Sequence, residues 1–439
     1  MTGPFDGLRA RLNEISPVHR IGQITEIGAG RIKVAGLTPG ITLGDRVRIG
    51  ERTGAEVLRI GKEGATVLPE DGMEGFAIGD TVRHLGRSEI APDDSWIGRV
   101  IDPFGQPLDG RPIFPGTCLR PLRGGPPPAA TRRPLGTRLQ TGLAVFNTLL
   151  PIVRGQRIGL FAGSGVGKSS LLARFAGSVE ADVIVIALVG ERGRELREFT
   201  DQVLGARGMA RSVVVAATSD QSPLIRRRCL WSAMAVAEHF RDQGRQVLLL
   251  ADSVTRFAEA HREIALSAGE EAHLRGYPPS TAQTIMALAE RAGPGRDDPG
   301  CGDITAIFSV LVAGSDMEEP VADILRGVLD GHVVLDRAIA ERGRYPAIDL
   351  LRSVSRSLPN AASEEENQII STARQLLGAW DRAEMMVQAG LYSKGSDPQI
   401  DAAIKIWPQL DAFLAEMAPE GIDASFQRLS ECLAAADIA

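Results

Sequence analysis

The chain has 439 residues, 44% of them hydrophobic and 24% charged, the make-up of a globular protein of about two to four domains. A net charge of −6 excludes the globally basic class of nucleic-acid binder, though not a local basic patch. Cys118, Cys229, Cys301 and Cys432 lack paired spacing, so neither a disulfide framework nor a cysteine metal site is expected. No apolar run approaches the ~18 residues of a membrane span, and no signal-peptide pattern opens the chain, so the expected location is cytoplasmic.

Phe5, Leu8, Leu12 and Ile15 lie at helical spacing ahead of Pro17. They predict a short amphipathic helix within residues 1–18, either packed on its own domain or docking a partner. Over residues 19–86, short β-rich runs (RIKVAGL, DRVRIG, EVLRIG, ATVL, DTVRHL) alternate with Gly, Pro and Asp turns, and GDRV at 44–47 resembles GDTV at 79–82. Such spacing predicts a small antiparallel barrel. Its lone aromatic, Phe76, argues against a barrel that stacks nucleic-acid bases. Residues 86–135, with Pro126, Pro127 and Pro128, read as connecting structure that opens on the strand–turn segment WIGRVIDPFGQPLDG. Arg132 and Arg133 are expected to be solvated there.

From about 136 to 355 the runs RIGLFA, ADVIVIALVG, SVVVAAT, QVLLLAD and ITAIFSVLV alternate with helical stretches. That alternation predicts a mainly parallel sheet covered on both faces. The linker and this α/β domain together occupy 87–360. From 361 to 439 strand signals vanish and helical patterning dominates.

The segment GLFAGSGVGKSSLL, 159–172, has the layout of a phosphate-binding loop: an apolar strand, a glycine-rich turn, then a helix. The candidate cradle is Ala162, Gly163, Ser164, Gly165, Val166, Gly167, Lys168, Ser169 and Ser170. Backbone N–H groups and the helix N-terminus would hold phosphate oxygens, Lys168 would reach the β- and γ-phosphates, and the Ser169 hydroxyl would ligate Mg²⁺. Ala162 stands where the strict pattern has glycine, which is tolerable if that position does not need positive φ. Asp252 ends the apolar run QVLLLAD, where a P-loop fold keeps its Mg²⁺-organising carboxylate; a helix cap or turn is the plain alternative. Glu191, in VGERGRE, is the candidate base or water-positioning group, against a surface ion pair with a nearby arginine. Arg192 and Arg256 are candidate phosphate-side cations. Tyr277, in GYPPS, is either an adenine-stacking aromatic or an ordinary packed turn residue.

On these residues the chain resembles the catalytic subunits of rotary ATPases and, within them, the ATPases of flagellar and type III secretion export. Further motifs carry the resemblance: DQSPLIRR at 220–227, LAERAGPG at 288–295, PAIDLLRSVS at 346–355 and GSDPQIDAAI at 395–404. The resemblance implies an α/β RecA-like P-loop core with an N-terminal small β-barrel of six strands and a C-terminal helical domain. It implies ATP and Mg²⁺ as ligands and a homohexamer with ATP sites at subunit interfaces. Arg356, in SVSR, matches the family's arginine finger, acting in trans, and Glu191 matches the catalytic glutamate that non-catalytic subunits lack. Implied partners are a stator-like regulator, a coiled-coil stalk, the export gate and chaperone–substrate complexes, at the inner membrane's cytoplasmic side and without nucleic acid. The acidic DELSEED-type segment of ATP synthase is absent, and EEAHLRG at 270–276 lacks the family's proline. The implied function is ATP hydrolysis energising flagellar protein export. An injectisome ATPase is the near alternative; an RNA-translocating hexamer and a non-catalytic rotary subunit are more distant ones.

Overall fold

The structure, a computed structural model, describes residues 12, 18–28, 30–51, 53–312 and 317–434. The expected N-terminal helix lies outside the described residues, save for Leu12. Six strands, β1 (Ile21–Gly28), β2 (Arg31–Ala35), β3 (Arg46–Ile49), β4 (Thr53–Gly61), β5 (Gly64–Pro69) and β6 (Thr81–Gly86), form a closed antiparallel barrel in the order β1-β2-β5-β4-β3-β6. Alternation fills it: Ile32, Val34, Val47, Val57 and Val67 point inward with essentially no exposure. The two similar segments are one turn used twice. Asp45 accepts from the Thr42 amide and Asp80 from the Ala77 amide, each at 2.8 Å, and the strands they launch, β3 and β6, are paired neighbours.

Next come the short pair β7 (Glu89–Ile90) and β9 (Arg120–Pro121), with β8 (Arg99–Ile101) between them in sequence. The central sheet comprises β8, β10 (Arg157–Ala162), β11 (Val183–Glu191), β12 (Ser212–Thr218), β13 (Val247–Asp252), β14 (Ile304–Leu311), β15 (Gly331–Leu335) and β16 (Ile348–Ser355). Its order is β16-β15-β10-β14-β13-β11-β12-β8. Every pairing is parallel except β15 with β16. Both faces are buried, which explains the unbroken apolar runs. Along β11, Ile184, Ile186 and Leu188 pack toward the phosphate-loop helix, while Val183, Val185, Ala187 and Val189 pack against the helix Pro223–Arg241 on the other face.

The last three helices, Glu364–Gln388, Pro398–Phe413 and Ile422–Ala434, pack beside the β16 edge. Ser363 and Glu366 form a reciprocal capping box at the first. In the GSDP motif, Asp397 caps the second by accepting from the Gln399 and Ile400 amides, and Pro398 occupies its first turn.

Arginines join these parts. Glu56 of the barrel accepts from Arg227 at 2.7 Å and from Arg123 at 2.5 Å, and both guanidinium groups lie over the Trp231 ring. Arg132 and Arg133 are not solvated as expected. Arg133 reaches Asp303 at 2.8 Å and Arg132 reaches Glu290 at 3.2 Å, because the proline-rich connection runs along the core. Deepest is the two-pronged pair of Arg291 with Glu238, at 2.9 and 2.7 Å, which ties two helices together. Glu238→Ala would leave a buried guanidinium without its counter-charge. It should destabilise the chain by about 3–5 kcal/mol, read as a fall in the urea midpoint; an unchanged midpoint contradicts the assignment.

Candidate active site

A parallel sheet gathers the carboxyl ends of its strands on one rim, and ligands bind there. At that rim β10 ends at Ala162, the loop 163–167 follows, and the helix Lys168–Ser178 begins. Ala162 is the last strand residue, fully buried, and paired with Leu311 and Leu335. Its extended backbone needs no glycine, so the departure from the strict motif has no structural cost. Gly167 is different: its φ is +86°, and a Cβ there would stand 3.0 Å from the Tyr345 ring.

The adjoining strand ends supply the chemistry. Asp252 closes β13 and is 3% exposed. Its Oδ1 accepts from Lys168 Nζ and, at 2.8 Å, from the Ser309 hydroxyl on β14. Glu191 closes β11, the strand whose Leu188 is registered with Asp252. A cavity of about 230 Å³ opens among Ser169, Ser170, Glu191, Glu195, Phe199 and Asp252. Burial, then the Asp252 charge and the Glu195 side chain, push the Glu191 carboxyl up to about 7, against a smaller opposite pull from Lys168. A carboxyl held there can exchange a proton near neutral pH.

The other candidates divide. Arg256 packs beside Gly190, with its nearest side-chain atoms 3.6 Å from where a Cβ would stand, and bonds Glu259 at 3.4 Å. Arg192 occupies the N-cap position of the helix Gly193–Glu198 without a side-chain capping bond, is mostly exposed, and lies 3.8 Å from Glu195. Tyr277 does not meet the loop; its half-buried ring lies under the Arg262 guanidinium at 5.1 Å. The aromatic at the loop is Tyr345, which lies within a family motif of the sequence but was given no role, because nothing local marks a tyrosine that becomes adjacent to the loop through the fold.

Arg356 stands apart from its own loop. Ala162 is level with Leu335, which pairs with Ile348, whereas Ser355 pairs with Gly331 at the far end of β15. Four residue steps along β15 separate the two levels, about 13 Å. Arg356 is exposed and bonds the Arg326 carbonyl at 3.2 Å.

A glycine loop on a strand end, a lysine at the helix start and a carboxylate on a neighbouring strand define a P-loop nucleoside triphosphatase. Residues 142–355 match the ATP synthase alpha/beta family, nucleotide-binding domain, and residues 362–431 match the T3SS EscN ATPase C-terminal domain. The chain is 42% identical to the flagellum-specific ATP synthase of Caulobacter vibrioides over 97% of its own length and 98% of that protein's. It is 41% identical to the SPI-2 type 3 secretion system ATPase of Salmonella typhimurium, over 94% of its own length and 95% of that protein's. The assembled ATPase EscN of enteropathogenic E. coli has the same fold, with a TM-score of 0.87 at 35% identity, covering 94% of this chain and all of that one. The chain therefore belongs to the ATP synthase alpha/beta family, among its flagellar and type III secretion ATPases, and is an ATP-hydrolysing enzyme.

The raised Glu191 carboxyl has a stability consequence. The fold favours its protonated form, so its contribution is full below about 4.5 and is lost as pH rises through about 7. Glu191→Gln, which cannot ionise, should gain in urea midpoint over the parent chain between pH 5 and pH 8. A difference that stays constant across that window contradicts the raised value.

Proposed function

We propose that the chain hydrolyses ATP to energise protein export through a flagellar type III apparatus, with Glu191 as the base that orients the attacking water. The observation that carries this is the Glu191 carboxyl, held near neutral in the cavity that also holds Ser169 and Asp252. The loop amides from Gly163 to Ser170 would bind the phosphates, and Lys168 would leave Asp252 for the β- and γ-oxygens. Arg256 adds positive charge behind the β11 end. Arg192, facing Glu195, serves as a peripheral cation.

Mg²⁺ fits these residues. Among the described residues no cluster of three or more metal-ligating side chains exists. Nucleotide-bound Mg²⁺ asks for only one or two protein oxygens, the rest being phosphate and water. The Ser169 hydroxyl would hold it and Asp252 would organise its water. When bound, it neutralises charge developing on the phosphates.

The far-end position of Arg356 supports a role on another copy's nucleotide. We infer a homohexamer in which Arg356 completes the neighbour's site, and the solved relative EscN in complex with its central stalk EscO supports a coiled-coil stalk partner. Among the described residues no helix is long and apolar enough to cross a membrane; a cytoplasmic protein bound peripherally at the export gate, with a stator-like regulator and chaperone–substrate complexes, is the reading we adopt. Its domains are taken as 19–86, 87–360 and 361–439. The likeness to the SPI-2 ATPase and EscN favours one second reading, the same enzyme in an injectisome. In the source bacterium, Glu191→Gln should abolish flagellar filaments; intact filaments with lost effector secretion would move the enzyme to the injectisome.

Two outcomes follow in vitro. Arg356→Ala should lower turnover by about 10³–10⁵-fold, and mixing it with Glu191→Gln should restore part of the activity, because mixed assemblies contain complete sites. No recovery on mixing would contradict a finger acting in trans. Tyr345→Ala, removing a ring beside the loop, should raise the KM for ATP about fivefold, the equivalent of about 1 kcal/mol. Tyr277→Ala should leave KM unchanged, and the reverse pattern would return the adenine contact to Tyr277.

A further inference from the structure

A crevice lies away from the phosphate loop, between barrel and core. It encloses about 630 Å³, within the range of small-ligand sites. Four arginines line it: Arg46 and Arg48 from β3, Arg87 after β6, and Arg228 from the helix Pro223–Arg241. The acids nearby do not balance them. Glu70 takes Arg46 at 3.3 Å, and Glu89 stands in the wall. Asp102 spends its carboxylate on the Phe104 and Gln106 amides, and burial raises it above the ordinary carboxylate value.

Arg228 is the telling residue. It is 7% exposed, yet its guanidinium bonds only neutral oxygens: the Pro103 and Glu89 carbonyls and the Ser88 hydroxyl. Burial and the like charge of Arg46 push it down to about 9, against smaller opposite pulls from Glu70, Glu56 and Asp102. The buried Nε of Arg46 has no hydrogen-bond partner. Neither the Arg48 nor the Arg87 side chain has an ion-pair or hydrogen-bond partner among the described residues. A buried guanidinium that no carboxylate bonds is costly, and an anion entering the crevice relieves that cost.

We propose that this crevice is a second, non-catalytic anion site that takes a small phosphate-bearing ligand of two or more negative charges. Guanidinium forks suit tetrahedral oxyanions, which they grip by paired N–H donors. Phe104 already lies between the Arg46 and Arg228 guanidinium groups, each 4.5 Å from its centroid, so recognition rests on charge rather than on ring stacking. The ligand would join β3 of the barrel to the Pro223–Arg241 helix of the core and stiffen that joint.

Inorganic pyrophosphate tests this by calorimetric titration of the full chain at physiological salt without Mg²⁺. The phosphate loop also binds it, so the readout is the number of sites. Arg48→Ala with Arg87→Ala should remove one site per chain, whereas Lys168→Ala should leave that site in place. Neither side chain has a partner among the described residues, so their removal should leave the fold intact. Arg48→Lys with Arg87→Lys, which keeps the charge without the fork, should bind more weakly than the parent and more tightly than the alanine chain. Equal site number and affinity in the parent and the alanine chain would overturn the proposal. So would a parent chain whose only site disappears with Lys168→Ala.

Discussion

The site depends on a shared charge: the Asp252 carboxylate, buried at the end of β13, held by Lys168 Nζ and the Ser309 hydroxyl. That contact links three adjacent strand ends, β10 through its loop, β14 and β13, and fixes the sheet rim as a polar, solvent-poor place. It also leaves Glu191 facing a negative neighbour already paired on its other side. The raised Glu191 carboxyl is the consequence. A polyphosphate that draws Lys168 away, and a cation that meets Ser169 and Asp252, would change the field at Glu191 as substrate arrives.

The sheet that builds this rim also bears on the proposed trans role of Arg356. Its antiparallel edge strand, β16, turns the chain back along β15, so Arg356 is delivered to the end of the sheet opposite its own loop. Nearer the rim, the same segment carries Tyr345 against Gly167. Tyr345 and Arg356, eleven positions apart, thus lie toward opposite ends of the sheet, as the proposed division between a site within the chain and one across an interface requires.

Much of this was legible in the sequence, for identifiable reasons. The strands β10 to β14 announce themselves because a sheet buried on both faces demands unbroken apolar runs, and the phosphate loop is a contiguous motif. Glu191 and Asp252 were readable because each ends such a run. The first barrel strand was not: β1 carries a register irregularity between Ile24 and Glu26 that breaks its alternation. β8 read as a strand within connecting structure, and nothing local showed that it pairs with β12 as the edge of the central sheet. Tyr277 drew attention as an aromatic on a rigid turn, and the fold gave its ring to Arg262 instead. Arg132 and Arg133 looked like surface charge because nothing local shows that the chain folds back over them.

The central claim is that this chain binds ATP at the loop and hydrolyses it through Glu191. The most direct measurement is single-turnover phosphate release from Glu191→Gln, made beside a nucleotide-binding titration of the same protein. The account predicts ATP binding equal to that of the parent chain, with phosphate release reduced by about 10²–10⁴-fold. Parent-rate release from Glu191→Gln would contradict it.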